Sequence, residues 1–163
     1  MRIIKIDKNN QVNGDGLRCV IWFAGCGHKC PGCHNPETWP FDCGHEITMQ
    51  DMDTIYDQLE RDEISGITLS GGDPIYQQKE LVPFLKQVKT NFPNKTIWCY
   101  TGFLYEEICN SPVIEYIDVL IDGPYVAALN PGPCKVLWRG STNQRIIDVQ
   151  KSLEEDSIIL YAN

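Results

Sequence analysis

Residues 17–24 read Leu17-Arg18-Cys19-Val20-Ile21-Trp22-Phe23-Ala24 and run, after one glycine, into Cys26-Gly27-His28-Lys29-Cys30-Pro31-Gly32-Cys33. The first eight residues are nearly all apolar and rich in β-branched and aromatic side chains. That pattern predicts a strand buried on both faces, as in a parallel sheet covered by helices. The glycine- and proline-rich stretch behind it, to about Ile47, predicts a long loop leaving the strand's C-terminal end.

Outward from this strand the chain alternates. Thr48 is a good N-cap with Asp51 three residues on. Met52, Ile55, Tyr56 and Leu59 then share one helical face. Ile67–Ser70 reads as a second strand, closed by Gly71-Gly72-Asp73-Pro74. A helix is predicted over Gln77–Thr90, with Pro83 in its first turns, where a missing N–H matters least. Thr96–Thr101 reads as a third strand and Leu104–Cys109 as a short helix. Ile117–Ile121 reads as a fourth strand, ending in Asp122-Gly123-Pro124. Weaker strand patterns lie at Val136–Trp138 and Ile158–Tyr161. No internal repeat or low-complexity segment interrupts the order. Strands alternating with helices predict an α/β fold, one domain over residues 1–163, with a mostly parallel sheet. In such sheets chemistry sits where the strands' C-terminal ends meet their loops. The cysteine loop, Gly71-Gly72-Asp73, Tyr100-Thr101-Gly102 and Asp122 all fall at such ends, so four loops are expected to converge on one edge.

The 163 residues carry 42% hydrophobic side chains, enough for a real core, and a formal net charge of -8. That charge argues against a nucleic-acid surface, which shows basic patches. The N-terminal Met1-Arg2-Ile3-Ile4-Lys5-Ile6-Asp7 is broken by charges and reads as neither a signal peptide nor a membrane span. A cytoplasmic protein is expected. Eight cysteines in a reducing compartment point to metal binding or catalysis rather than disulfides.

Thiolates are soft ligands that suit iron–sulfur clusters and zinc. Cys26, Cys30 and Cys33 supply three sulfurs, one fewer than the irons of a cubane cluster, which leaves one iron open to an exogenous ligand. The alternative is a structural zinc site completed by His28, His34 or Cys43. Zinc motifs usually show two short-spaced pairs, and this chain has one triple. Cys19, Cys99 and Cys109 lie among apolar residues and read as core. Cys43 and Cys134 lie in loops without an assigned role. His28 and His34 read as solvated loop residues or as donors behind the ligands.

CxxxCxxC after the first predicted strand, with a Gly-Gly-acid motif after the second, resembles the radical S-adenosylmethionine (SAM) superfamily. Asn13-Gly14-Asp15-Gly16-Leu17-Arg18 and Cys33-His34-Asn35-Pro36-Glu37-Thr38-Trp39 are similar to the activating enzymes of glycyl-radical enzymes. Ser70-Gly71-Gly72-Asp73-Pro74, Tyr100-Thr101-Gly102, Leu120-Ile121-Asp122-Gly123-Pro124 and Arg139-Gly140-Ser141-Thr142-Asn143-Gln144-Arg145 are most similar to the activators of anaerobic ribonucleotide reductase. The likeness runs from about Gly14 to Ser152.

The resemblance implies a small open partial (β/α) barrel and a [4Fe-4S] cluster on Cys26, Cys30 and Cys33. It implies SAM bound at the open iron, with Gly71, Gly72 and Asp73 about its ammonium group and Thr101 and Asp122 on the cofactor side. No catalytic residue beyond the cluster ligands is implied. One electron from the cluster would cleave SAM to methionine and a 5′-deoxyadenosyl radical, which takes hydrogen from a glycine of the partner. The implied partners are the large subunit of anaerobic ribonucleoside-triphosphate reductase and a one-electron donor such as reduced flavodoxin, with neither nucleic acid nor membrane. An activator of another glycyl-radical enzyme, such as pyruvate formate-lyase, is the nearest alternative; a zinc-binding interaction module is the more distant one. Two positions depart from the superfamily: Gly32 stands where an aromatic residue often precedes the third cysteine, and Asp73 stands where many relatives have Glu. Taken singly, Gly71–Pro74, Thr101 and Asp122 are also ordinary turn residues. Asn13 and Arg18 flank the cysteine strand and read as structural residues or as contacts for the partner's glycine loop.

Overall fold

The computed structural model describes residues 1–132, 135 and 137–162. Seven strands form one sheet: β1 (Arg2–Asn10), β2 (Leu17–Phe23), β3 (His45–Glu46), β4 (Ile64–Gly71), β5 (Thr96–Tyr100), β6 (Val119–Asp122) and β7 (Arg145–Asp148), in the order β3-β1-β2-β4-β5-β6-β7. The middle of the sheet, β2-β4-β5-β6, is parallel, with Ile21 opposite Leu69, Leu69 opposite Cys99 and Cys99 opposite Leu120. The pairs at both edges are antiparallel. The fold is mixed α/β, as expected.

Helices α1 (Met49–Leu59), α2 (Gln78–Asn91), α3 (Tyr105–Ile108) and α4 (Val149–Glu154) complete the chain. Thr48 and Asp51 form the expected capping box. A 3₁₀ turn, Pro74–Gln77, leads into α2, and Pro83 lies inside that helix.

Alternation along the central strands divides the sheet into two unlike faces. Cys19, Ile21 and Phe23 of β2, Ile67 and Leu69 of β4, Ile97 and Cys99 of β5 and Leu120 of β6 pack with Ile55, Leu59, Leu81, Leu85 and Val149 from the helices. Their intervening neighbours point the other way. There Trp98, Val119 and Ile121 pack with Tyr100, Trp138, Ile146 and Tyr161, so loop and tail cover this face. The period of two, set against the helical stripe, thus puts the main core under the helices and leaves the opposite face for polar side chains and a cavity.

Arg18 is the extreme case on that second face. It is fully buried, and it donates from Nε to Thr68 Oγ1 (2.7 Å) and from its terminal nitrogens to the carbonyls of Ile67 (2.6 Å), Thr96 (2.8 Å) and Asp15 (3.0 Å). Burial pulls its pKa down to about 10. The Thr68 hydroxyl passes the chain of bonds on to the Asn13 carbonyl (2.7 Å). Arg18 is therefore a strut between β2, β4, β5 and the loop before β2. Arg18→Met keeps the stem and removes the donors, stranding several acceptors. It should lower the stability read from a urea midpoint by about 2–4 kcal/mol. A loss below about 0.5 kcal/mol would show that water replaces the guanidinium.

The chain departs from the expected elements at its ends. β1 pairs with β2 along its length, although its alternation of Ile with Lys and Asp reads as little more than a charged terminus. β7 and α4 carry the tail. Val136 lies outside the described residues, and Leu137 and Trp138 form a bend. Of Ile158–Tyr161, Leu160 makes a single bridge to Ile147.

Candidate functional site

At the C-terminal end of the parallel strands a cavity of about 400 Å³ opens. Its wall includes Cys26, Cys30 and Cys33 from the loop after β2, Gly71 at the end of β4 and Gly72 after it, Thr101 and Gly102 after β5, and Gly123 after β6. Four loops converge there, as strand order and polarity require.

The cysteine loop is shaped to receive something bound by sulfur. All three thiols are free. The Asn35 N–H points at Cys33 Sγ (3.4 Å), and the backbone N–H groups of His28 and Lys29 are directed at the Cys26 thiol, whose pKa burial raises. The loop is pinned at its start by Gly25 N–H to Thr38 O (2.7 Å) and Cys26 N–H to Trp39 O (3.0 Å). At Gly27 a Cβ would stand 2.4 Å from the Tyr76 hydroxyl, so any larger residue there would push the Tyr76 ring aside. Three thiolates facing one cavity, with amide donors turned toward two of them, fit an iron–sulfur cluster.

The zinc alternative finds no such fit. His28 is engaged by Asp73, the Cys43 thiol donates to the Pro40 carbonyl (2.9 Å), and His34 lies against the Tyr125 ring, 4.7 Å between centroids. Among the described residues no three His, Cys, Asp or Glu side chains, the three cysteines included, gather closely enough to hold a single metal ion. Cys134 lies outside the described residues. Cys19 and Cys99 are fully buried, and desolvation pushes the Cys19 thiol up to about 12 and Cys99 well above its usual value; both are core, as expected.

Asp73 is turned into the protein. It is 1% exposed and lies beneath the cavity wall. Its Oδ2 accepts from His28 Nε2 (2.9 Å), Thr101 Oγ1 (2.8 Å) and Gly102 N–H (2.9 Å), and its Oδ1 accepts from Ile75 N–H (3.0 Å). One carboxylate thus ties the cysteine loop, its own turn and the loop after β5 together. Asp122 is fully buried and likewise turned to protein. It accepts from Tyr105 N–H (2.8 Å) and pairs with Arg145 through both oxygens, fixing β6 to β7 and to the start of α3. Arg145 in turn holds Glu106, whose carboxyl it keeps down at about 2.

The residues that pattern reading left unassigned are the tryptophans and one arginine of the cavity wall. Among the described residues three buried side-chain donors have no acceptor: Trp22 Nε1, Trp39 Nε1 and Arg139 Nε. All three belong to residues lining this cavity. A buried N–H without a partner costs about 1–3 kcal/mol, and three of them around one space mark it as a place where acceptors arrive with a ligand. The period-two alternation of β2 already put Trp22 on this face; Trp39 and Arg139 belong to stretches that carry the resemblance, which gives neither side chain a role.

A family model described as a 4Fe-4S single cluster domain matches residues 12–147. A protein of Enterobacteria phage T4 named anaerobic ribonucleoside-triphosphate reductase-activating protein is 44% identical over 137 residues, covering 83% of this chain and 86% of its own. Proteins of the same name from Vibrio cholerae and Escherichia coli K12 are 39% and 37% identical, covering 83% and 82% of this chain and 90% and 89% of theirs. With relatives 37–44% identical over more than four-fifths of its length, the chain belongs to the family of anaerobic ribonucleoside-triphosphate reductase-activating proteins and carries its 4Fe-4S domain.

Proposed function

We propose that the chain activates an anaerobic ribonucleoside-triphosphate reductase as a radical SAM enzyme, working as a single domain in the cytoplasm. The observation that carries the reading is the sharing of one cavity by the three cysteines and the two glycine turns after β4 and β5. The sheet, parallel in its middle and covered by helices on one face, suits a partial (β/α) barrel whose inner face holds that cavity. No helix among the described residues is long and apolar enough to cross a membrane.

Cys26, Cys30 and Cys33 would hold the cluster, which supplies one electron to the sulfonium of SAM and so yields the 5′-deoxyadenosyl radical that takes hydrogen from a glycine of the reductase. The protein's part is position and exclusion of water. Gly71 and Gly72 permit backbone approach to the methionyl ammonium. Thr101 and Gly102 extend that wall. Asp73 and Asp122 act from behind it, the first by aligning three loops and the second by fixing the ends of β6 and β7. Gly32, which leaves the space before the third cysteine without a side chain, faces Tyr125: a Cβ there would lie 3.0 Å from Ala127 Cβ and 3.9 Å from the Tyr125 ring. Tyr125 from the loop after β6 is thus the aromatic residue available to the adenine at this point. Cys30 and Cys33 are partly exposed, which leaves the cluster loop open to a one-electron donor such as reduced flavodoxin.

The test mixes reduced, reconstituted protein, SAM and the reductase without oxygen and records an electron paramagnetic resonance spectrum. A carbon-centred doublet should form on the reductase, accompanied by 5′-deoxyadenosine, and should vanish when the reductase glycine is changed to alanine. A doublet formed only on another glycyl-radical enzyme, such as pyruvate formate-lyase, would keep the chemistry and overturn the partner. No 5′-deoxyadenosine at all would overturn both.

A further inference from the structure

Arg139 stands in the cavity wall with half of its guanidinium engaged. Nη1 donates to the Gln144 carbonyl (2.7 Å), which fixes the plane of the group. Among the described residues Nε, which is buried, has no acceptor, Nη2 makes no hydrogen bond, and Arg139 takes part in no ion pair. The loop around it is held firmly. Gln144 Oε1 accepts from Gly140 N–H (2.9 Å) and Ser141 N–H (3.2 Å), while Gln144 Nε2 donates to the Gly123 carbonyl (3.0 Å).

A guanidinium presents two edges that match a planar oxyanion, and the Nε–Nη2 edge is one of them. Arg18 also lacks a carboxylate, but hydroxyl and carbonyl acceptors take up its Nε and both terminal nitrogens, whereas the Nε–Nη2 edge of Arg139 has none among the described residues. Arg145, six residues on, is paired with both Asp122 and Glu106. We propose that the Nε–Nη2 edge of Arg139 is the docking point for a carboxylate brought into the cavity from outside the chain. The carboxylate has two chemical sources: the methionyl group of SAM, which rests on the reading above, or an acidic side chain of the protein partner, which does not.

The test titrates cluster-loaded protein anaerobically in three forms: wild type, Arg139→Gln and Arg139→Lys. Each is titrated separately with SAM, with decarboxylated SAM and with the reductase. If SAM supplies the carboxylate, Arg139→Gln should weaken SAM about 10- to 100-fold, leave the decarboxylated analogue unchanged, and be partly repaired by Arg139→Lys. If the partner supplies it, SAM affinity should hold while the reductase binds at least tenfold more weakly to Arg139→Gln, with Lys again restoring part. Equal losses for SAM and its decarboxylated analogue would show that Arg139 only shapes the wall, and unchanged affinity for every ligand would show that the edge is idle; either overturns the proposal. Wild-type protein that binds no SAM yet binds the reductase through Arg139 would separate failure of the radical SAM reading from failure of this one.

Discussion

Cys26→Ala, Cys30→Ala and Cys33→Ala should each reconstitute anaerobically without a SAM-cleaving cluster, with 5′-deoxyadenosine production falling to background. The loop offers only these three sulfurs to the cavity, and among the described residues no other thiol lines it to take the vacant place. Cys43→Ala is the control. Its thiol donates to the Pro40 carbonyl instead of facing the cavity, and iron, sulfide and activity should stay near wild type. The measurement is iron and sulfide per chain with the spectrum of the reduced cluster. A Cys30→Ala protein that keeps a full cluster and cleaves SAM would show that the ligand set has been misread. The same experiment separates cluster from zinc: colourless wild-type protein with one zinc per chain would overturn the iron–sulfur assignment, whatever the variants do.

The four central strands were legible because each is a short apolar run ended by glycine or by Asp-Gly, and because a parallel sheet needs helices between such runs. Their ends differ by only a few residues: β4 starts at Ile64 rather than Ile67, since Ser65 and Gly66 interrupt the apolar pattern, and the register shifts there, with Leu17 opposite Ile64 and Arg18 opposite Gly66, before the regular ladder runs on. The edges were harder. β1 has one side in water, so its charges belong there, yet they mask a strand whose Ile3 is fully buried. β7 is four residues long and antiparallel, reached by a long connection, and no local pattern announces its ladder with β6 or the Arg145 pair with Asp122.

At the site, spacing alone found the loops, because polarity of the strands dictates which loops meet. It could not find which way an acid points. Asp73 and Asp122 each end a strand in a glycine-containing turn, and both turn inward to backbone N–H groups and side chains of neighbouring loops, where a buried carboxylate must find donors. Nor could it find the cavity's unpartnered donors, since Trp22, Trp39 and Arg139 come from three separate segments that only the folded sheet brings together.

Asp73 yields the second large effect. If it held the ammonium of SAM directly, Asp73→Glu would be mild, because many relatives in the superfamily carry that acid. The bonds it makes favour a role in holding the loops together. Asp73 Oδ2 takes three donors within 3 Å, and the carboxylate is almost wholly buried. One more methylene has no room to preserve them. Asp73→Ala deprives His28, Thr101, Gly102 and Ile75 of an acceptor at once. With hydrogen bonds to charged groups worth about 1.5–3 kcal/mol each and the losses not additive, stability should fall by about 3–5 kcal/mol. SAM affinity of whatever protein reconstitutes should fall more than tenfold, because the cysteine loop and the wall opposite it are no longer in register. Asp73→Asn keeps the shape and half the acceptors, so it should lie between. Asp73→Glu should resemble Ala more than wild type in urea midpoint, with His28→Gln reproducing part of the loss through the same bond. A Glu variant of wild-type stability and SAM affinity would return Asp73 to the ammonium-binding role; a Glu variant that is destabilised yet binds SAM normally would limit it to the fold.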